Sequence, residues 1–294
     1  MFLKMFNLRS FSCIFCIAII CFTFTSCREI GVDKSNLRGW DYRLFQGTPA
    51  WELAKAVQDG RICKIKSILQ EDSTLINYQE PRFGETLLML AIWNDDYKSF
   101  ITLLESNADV NIYDRYDGTS AIILTCEYNL GVKYVQKLLE YGANPNDIEV
   151  GERRAGNNTR YTPLRGAVEN GNIETVKLLL QAGADVNYYD EFGTCALKQA
   201  AYLDYNKIVL LLIENNAYYD RPISKNHFGP IYLVNVLRLQ LFPIGSIEHS
   251  EKMQVIDFLQ RHGIDYRNTP IPEFTLQRIK ELYPDSWQEY IEKY

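Results

Sequence analysis

Between residues 173 and 181, apolar side chains recur at the spacing of one face of an α-helix. The apolar positions are Ile173, Val176, Leu179 and Leu180. Gly183 follows them, and glycine readily takes the left-handed conformation in which many helices end. A second helix is predicted before Gly171. We therefore expect residues 161–187 to form two helices joined by a turn.

The same pattern recurs along the chain in register with the start of this unit. The equivalent positions are Trp51, Thr86, Ser120, Thr162, Cys195 and Ile231. Their separations are 35, 34, 42, 33 and 36 residues, which indicates a period near 33 with two insertions, at 147–161 and around 241–251. One helix pair cannot cover its own apolar stripe. Neighbouring copies are therefore expected to stack and bury it between them.

Several motifs in these copies carry a family resemblance. They are Thr162-Pro163-Leu164, Ala200-Ala201, the pairs Ile208-Val209 and Leu211-Leu212, and the repeat endings at 107–111, 142–146 and 183–187. On these motifs the chain resembles ankyrin-repeat proteins over residues 49–267. The resemblance implies an all-α solenoid of about six helix-turn-helix repeats, with β-hairpin finger loops along one edge. It also implies binding to another protein.

The flanking segments set the domain boundaries that we expect. Thr48 is predicted to cap the first helix, with Pro49 at its first position, so the repeat domain should occupy residues 48–267. Glycines interrupt residues 27–47, which are predicted to be a tether whose aromatic end packs onto the first repeat. Residues 268–294 carry a new apolar helical pattern and are predicted to form a C-terminal helical cap, which a solenoid needs to cover its last repeat.

The first 26 residues have the pattern of a signal peptide. Lys4 and Arg9 precede a weakly polar stretch of 15 residues, 11–25, which is shorter than the roughly 20 residues of a membrane span. The following Ser26-Cys27 resembles the lipobox of bacterial lipoproteins, in which the cysteine is lipidated. This resemblance implies a lipid anchor at Cys27 in a bacterial envelope, with the outer membrane facing the periplasm as the expected address. An ordinary secretory signal and an uncleaved anchor are the alternatives.

The net charge narrows the choice of partners. Residues 1–26 contain two positive charges and no negative ones, so their removal would change the net charge from -6 to -8. An acidic surface repels phosphate backbones, so nucleic acid is not expected as a partner.

Three cysteines would remain in the folded part without a disulfide or metal-binding spacing, and all three are expected to be buried. They are Cys63, Cys126 and Cys195.

Sequence motifs for catalysis are missing. The chain has no GxSxG, GxxxxGK[ST], GxGxxG or HExxH motif, and its three histidines are not at metal-ligand spacing. We therefore expect no enzyme activity, no cofactor and no metal. An enzyme site concealed in the divergent sixth repeat and tail is a minor alternative.

The fingers and the long insertion supply the candidate binding residues. Tyrosine and arginine are enriched among residues that dominate protein interfaces. The candidates are Tyr116, Tyr188, Tyr189, Tyr219, Arg153 and Arg154. Recurring Phe-Gly pairs in the fingers are expected to pack finger on finger. The hypothesis is a monomeric, lipid-anchored module that binds another protein, and an acidic surface suits a basic partner. One alternative is an inhibitor or immunity-type protein that blocks a toxin or periplasmic enzyme. Another is a scaffold.

Overall fold

The computed structural model describes residues 32–152 and 160–294, and within them it contains fourteen α-helices. In chain order these are α1 (Trp51–Gln58), α2 (Ile62–Glu71), α3 (Leu87–Trp93), α4 (Tyr97–Glu105), α5 (Ala121–Glu127), α6 (Val132–Glu140), α7 (Pro163–Glu169), α8 (Ile173–Gln181), α9 (Ala196–Tyr202), α10 (Asn206–Glu214), α11 (Leu233–Leu237), α12 (Ile247–Arg261), α13 (Glu273–Leu282) and α14 (Trp287–Lys293). Short 3-10 helices occupy Tyr42–Phe45 and Ser73–Asn77. Residues 32–37 form a separate turn, closed by a 3.2 Å hydrogen bond from Leu37 N to Lys34 O.

The first twelve helices form six consecutive pairs, which confirms the predicted stack of helix-turn-helix repeats. Each first helix packs beside the first helix of the next repeat, and the second helices do the same. Val176 and Leu179 of α8 are fully buried in the continuous core that this stacking creates. The core also includes Tyr42 and Phe45, so packed structure extends N-terminal to residue 48.

The first helices of the second, fourth and fifth repeats follow a residue whose side chain caps the helix. Thr86 accepts a hydrogen bond from Met89 N at 3.3 Å, and Thr162 accepts one from Arg165 N at 3.2 Å. Cys195 occupies the same position in the fifth repeat, and its Sγ accepts from Lys198 N at 3.4 Å. These contacts satisfy backbone N–H groups that have no partner within the helix.

The predicted helix starts are wrong in the first and sixth repeats. Helix α1 begins at Trp51, because the Thr48 hydroxyl donates to Phe45 O at 2.7 Å instead of capping the helix. In the sixth repeat Ile231 pairs with Ser224 in a hairpin, so Tyr232 becomes the residue that precedes α11.

Turns between and after the paired helices require the left-handed backbone conformation. Gly171 and Gly183 adopt it in the fourth repeat, with φ of 64° and 88°. Other repeats place Asp or Asn at such turns, and these are the non-glycine residues that tolerate positive φ best. They are Asp95, Asn107, Asn129, Asp204 and Asn216.

Asparagine side chains link each repeat to the next. Asn146 donates to Gly183 O at 2.9 Å and accepts from Asp185 N at 2.6 Å, which joins the ends of the third and fourth repeats. Asn111 and Asn187 make the same two contacts one repeat earlier and one later. Polar groups at these turns are thereby satisfied across the repeat boundary.

The finger loops contain little regular strand. Within the described residues one two-stranded antiparallel sheet is present, formed by β1 (Ser224–Asn226) and β2 (Gly229–Ile231). Two further fingers are closed by single bridges, Gln79 to Thr86 and Tyr113 to Ser120. Phe83 packs against Tyr116 of the next finger, with ring centroids 5.5 Å apart, as expected. Phe192 and Phe228 differ, since they are 53% and 86% exposed.

Helices α13 and α14 follow the sixth repeat and form a small apolar cluster of their own, with Ile279, Tyr290 and Tyr294 buried. Tyr290 Oη donates to Phe242 O at 2.8 Å, and Arg267 donates to Glu292 O at 2.8 Å. These bonds tie the helices to the insertion and to the end of the sixth repeat.

The three cysteines of the described chain do not all have the expected environment. Cys126 and Cys195 are buried, whereas Cys63 is exposed, so that prediction is wrong for Cys63. The apolar stripe of α2 runs through Ile65 and Ile68, and Cys63 lies off this stripe.

Candidate functional site

Carboxylates at the base of the fingers fix the backbone of each loop. Asp114 accepts hydrogen bonds from the backbone N–H groups of Tyr116, Asp117 and Thr119 at 2.7–2.9 Å. Asp190 does the same for its own finger, accepting from Phe192 N and Thr194 N at 2.9 and 2.8 Å. Glu80 holds the first of these fingers in the same way. The loops are therefore ordered before any partner arrives, which lowers the entropy cost of binding.

Three aromatic rings form a row beside these fingers, which we call the aromatic ladder: Trp40, Trp93 and Tyr128. The centroids of Trp40 and Trp93 are 5.4 Å apart, and those of Trp93 and Tyr128 are 4.7 Å apart. Trp40 is 44% exposed and Tyr128 is 53% exposed, so both ends of the ladder are open to solvent. Tryptophan and tyrosine faces attract cations and are frequent anchors in interfaces.

A set of carboxylates adjoins the aromatic ladder, and we call it the acidic face. Its members are Glu85, Asp117, Glu127, Glu149 and Glu169. Glu127 lies at the C-terminal end of α5, next to the ladder residue Tyr128, and feels the charges of three of the other four. Glu149 accepts from Thr119 Oγ1 and Tyr161 N, both at 3.2 Å.

Burial and neighbouring charges oppose ionisation of the carboxyl groups in the acidic face. Burial raises the pKa of Glu85 to about 8, and the neighbouring charges of Asp114 and Glu80 add to the shift. Burial also raises the pKa of Glu127 to about 7, with Glu149 as the next largest cause. Like charges that share a partly desolvated region disfavour ionisation of each other. A cation placed among them would relieve this repulsion.

Few cations of the described chain neutralise these groups. Arg165 pairs with Glu169 at 2.9 Å and lies 3.6 Å from Asp190, and its guanidinium stacks over the Tyr161 ring. Within residues 32–152 and 160–294, no ion pair is formed by Glu85, Glu127 or Glu149. Glu85 and Glu149 are only 9% and 6% exposed, whereas Glu127 is half-buried and open to the surface. Glu127 is therefore the carboxylate that can accept hydrogen bonds from an incoming ammonium or guanidinium group.

The structure separates the residues that the sequence singled out. Tyr116 is exposed on a finger and packs on Phe83. Tyr188 is half-buried and lines a small cleft beside Thr162, whereas its neighbour Tyr189 faces the next finger. Tyr219 packs against Phe258, with ring centroids 5.3 Å apart, so its ring has a packing role between repeats.

The remaining candidates, Arg153, Arg154 and Cys27, lie outside the described residues.

The sequence reasoning did not single out the aromatic ladder or the acidic face. The signal was present in the repeat register, because Trp93 and Tyr128 end the first helices of consecutive repeats. Glu127 and Glu169 occupy equivalent positions at the ends of α5 and α7.

The described part of the chain contains neither a metal-binding cluster nor a membrane-spanning helix. Three or more His, Cys, Asp or Glu side chains nowhere gather there in a way that would hold a metal ion. None of the helices found there has both the length and the apolar composition needed to cross a bilayer.

Stacked helix pairs with ordered fingers and an open side-chain face define a helical repeat protein whose stack presents a surface to partners. The family model for ankyrin repeats matches residues 88–190 and 150–223 in three copies. Together with the fold, this match shows that the chain belongs to the ankyrin-repeat family. Ankyrin repeats imply protein–protein interaction, and proteins built from them are generally interaction modules without enzyme activity.

Known proteins share this architecture over parts of the chain. An ankyrin repeat protein of Fowlpox virus is 28% identical over 127 residues, which cover 43% of this chain and 20% of the viral protein. The mouse transient receptor potential cation channel subfamily V member 5 is 28% identical over 259 residues, covering 84% of this chain and 35% of the channel. The chain spans 20% to 40% of the length of the first curated relatives.

A solved structure is also similar. The crystal structure of an ankyrin repeat domain from Acinetobacter baumannii superposes with a TM-score of 0.53 at 29% identity, covering 63% of this chain and 89% of that domain. The chain is thus similar to a bacterial ankyrin repeat domain of known structure.

Proposed function

We propose that this chain is a lipid-anchored ankyrin-repeat protein of a bacterial envelope membrane, and that its acidic face and aromatic ladder bind a basic protein. The observation that carries the binding proposal is the half-buried carboxylate of Glu127, which has no ion pair in the described chain and lies beside the exposed ring of Tyr128. The address rests on the signal-peptide pattern before Cys27.

A lysine or arginine of the partner would gain two kinds of contact at this face. The Glu127 carboxylate would accept charge-assisted hydrogen bonds, which are roughly twice as strong as neutral ones. The ring faces of Trp93 and Tyr128 would add cation–π attraction of about 0.5–2 kcal/mol. Electrostatic attraction would also speed the encounter and make the association weaken with rising salt.

The test is affinity purification of the full chain from native membranes, comparing the wild type with Glu127→Lys. We expect the wild type to retain a basic protein that is released by salt, and Glu127→Lys to lose it. Glu214→Lys is the matched control, because Glu214 is exposed at the end of α10, away from the acidic face. Circular dichroism of each variant establishes that the fold is kept. Retention of the partner by Glu127→Lys would refute the proposed site.

The lipid anchor is tested separately with Cys27→Ala. We expect the variant to leave the membrane fraction while still binding the partner, because Cys27 precedes the folded repeats by more than 20 residues. A variant that stays in the membrane fraction would contradict the anchor. If the purified partner is a toxin or periplasmic enzyme that loses activity on binding, the inhibitor form of the proposal is the correct one.

A further inference from the structure

A second surface of different chemistry lies between the last two fingers. A groove of about 800 Å³ separates the fifth-repeat finger from the β1–β2 hairpin. Its lining residues include Tyr189, Phe192, Lys198, Ile223, Lys225 and Pro230. This volume is typical of sites for small molecules or short peptide segments, so it can hold a few residues of a partner rather than a domain.

The charge of the groove is opposite to that of the acidic face. Lys198 is half-buried near the start of α9, and Lys225 is exposed on β1. Neither ammonium group has an ion pair within residues 32–152 and 160–294. In contrast, several other lysines of the same part of the chain pair with carboxylates at 3.4 Å or less. Glu191 is the one carboxylate among the lining residues described.

The rest of the lining is apolar and open to solvent. Phe192 is 53% exposed and the Tyr189 ring is also exposed, while two prolines contribute rigid apolar surface. The Asp190 carboxylate fixes the backbone of the Phe192 finger, so this wall of the groove is ordered without a ligand. Two positive charges next to a preformed apolar wall favour a ligand that carries both carboxylates and an apolar side chain.

We propose that this groove binds a short acidic peptide segment that also presents an apolar side chain. The inference deepens the proposed function and rests on it, because the segment would belong to the same protein partner. The partner would then carry a basic region facing the second to fourth repeats and an acidic segment facing the fifth and sixth. Opposite charges at two places along the stack would fix the direction in which the partner lies.

The experiment measures fluorescence anisotropy of labelled synthetic peptides with the full chain in detergent micelles. The probes are an alternating Glu/Leu peptide, its Lys/Leu counterpart and a Glu/Gly peptide of the same length. We expect the Glu/Leu peptide to bind at least tenfold more tightly than either of the others. Equal binding of the Lys/Leu peptide would overturn the charge argument, and equal binding of the Glu/Gly peptide would overturn the apolar one.

Variants locate the binding. Lys198→Glu combined with Lys225→Glu is expected to weaken Glu/Leu binding at least tenfold, whereas Lys207→Glu should change it less than twofold. Lys207 is exposed on the first turn of α10 and is not part of the groove lining. Likewise Phe192→Ser should weaken binding, and Phe228→Ser, on the tip of the hairpin outside the lining, should not. Unchanged binding after the double lysine reversal would overturn the proposal.

Two further arms separate this proposal from its neighbours. Glu127→Lys should leave Glu/Leu binding unchanged, so the groove can be confirmed even if the acidic face fails to bind a basic partner. Vesicles of phosphatidylglycerol test a lipid surface as the occupant. If the vesicles compete with the peptide and lose binding in the double lysine variant, the groove recognises anionic headgroups and the peptide proposal is wrong.

Discussion

Replacing Lys252 with methionine is expected to stabilise the fold below pH 7 and to destabilise it at alkaline pH. Lys252 lies on α12 and is only 1% exposed. Its ammonium donates to Gln240 O at 3.0 Å and lies 3.7 Å from the centroid of the Tyr294 ring. Its nearest charged neighbours are Arg238, which repels it, and Asp204, which attracts it. Burial is the largest effect and lowers the pKa of Lys252 to about 7.

The size of the stability change caused by Lys252→Met follows from competing contributions. A pKa lowered from 10.5 to about 7 corresponds to a cost of roughly 5 kcal/mol for the charged form, at about 1.4 kcal/mol per unit. Cation–π attraction to the Tyr294 ring returns about 2 kcal/mol. Methionine leaves the Gln240 carbonyl without its donor, which costs about 1–2 kcal/mol. The variant should therefore be about 1–2 kcal/mol more stable than the wild type below pH 7, within the range seen when buried ions are replaced by apolar residues.

The sign of the stability difference between the variant and the wild type reverses with pH. Between about pH 7 and 10.5 the unfolded chain binds a proton at Lys252 that the folded chain does not, so wild-type stability rises with pH in this window. Burial raises the pKa of Tyr266 to about 12, so that ring stays protonated throughout the window. Above about pH 10.5 Lys252 is neutral in both states, so the variant has only the lost hydrogen bond and should be less stable by about 1–2 kcal/mol. At pH 9.5 about 1.4 kcal/mol of the wild-type cost remains, so the two proteins should be nearly equal in stability.

Urea unfolding at pH 6 and pH 9.5, followed by circular dichroism, measures both differences. Lys207→Met is the control, since an exposed lysine should change stability by less than about 0.5 kcal/mol at either pH. A Lys252→Met protein that is less stable than the wild type at pH 6 would refute the reasoning, because the ring contacts would then outweigh desolvation. A difference that does not vary with pH would refute the assigned pKa.

Three further substitutions test the stack and the acidic face by the same unfolding measurement. Leu179→Ala should cost about 2–5 kcal/mol, because Leu179 is fully buried between repeats, and an unchanged midpoint would argue against the stacked core. Gly166→Ala should destabilise, although alanine is the better helix former, because the added Cβ would lie 2.8 Å from Glu127 N in the neighbouring repeat; a gain in stability would contradict this close packing. Glu85 has a pKa of about 8 in the folded chain and an ordinary value of 4.5. Its contribution to the free energy of unfolding is therefore full below pH 4.5 and is lost as the pH rises through 8. Glu85→Gln should therefore raise stability at pH 8.5 relative to the wild type and reduce the slope between pH 4.5 and 8, and an unchanged slope would rule out burial of this carboxylate.

Local pattern was enough to predict the repeats because their determinants are local. The apolar stripe of α8 and the glycine turn at Gly183 have the predicted roles, and both act within one helix pair, as does the cap at Thr162. The sixth repeat was displaced by one residue, because pairing of Ile231 across the hairpin depends on a strand seven residues earlier. The local residue preferences that predict a helix start carry no information about this strand pairing.

The candidate site was harder to predict because it depends on contacts between repeats. Trp40 reaches Trp93 across more than 50 residues of sequence, and neither ring belongs to a motif. Lys252 would ordinarily be expected on the surface, since lysine is rarely buried without a partner. Its burial follows from the position of the Tyr294 ring, which lies 42 residues further along the chain.

Proton uptake connects the acidic face to its proposed partner. In the free protein, burial and neighbouring charges raise the pKa of Glu127 to about 7, so near neutral pH this carboxyl is protonated in a substantial fraction of molecules. A bound lysine or arginine would favour the charged form and lower that pKa again, so the partner must displace a proton as it binds. By linkage, the affinity for a basic partner should then increase as the pH rises from 6 to 8. The same charge repulsion that weakens the fold thus makes the empty face selective for cations.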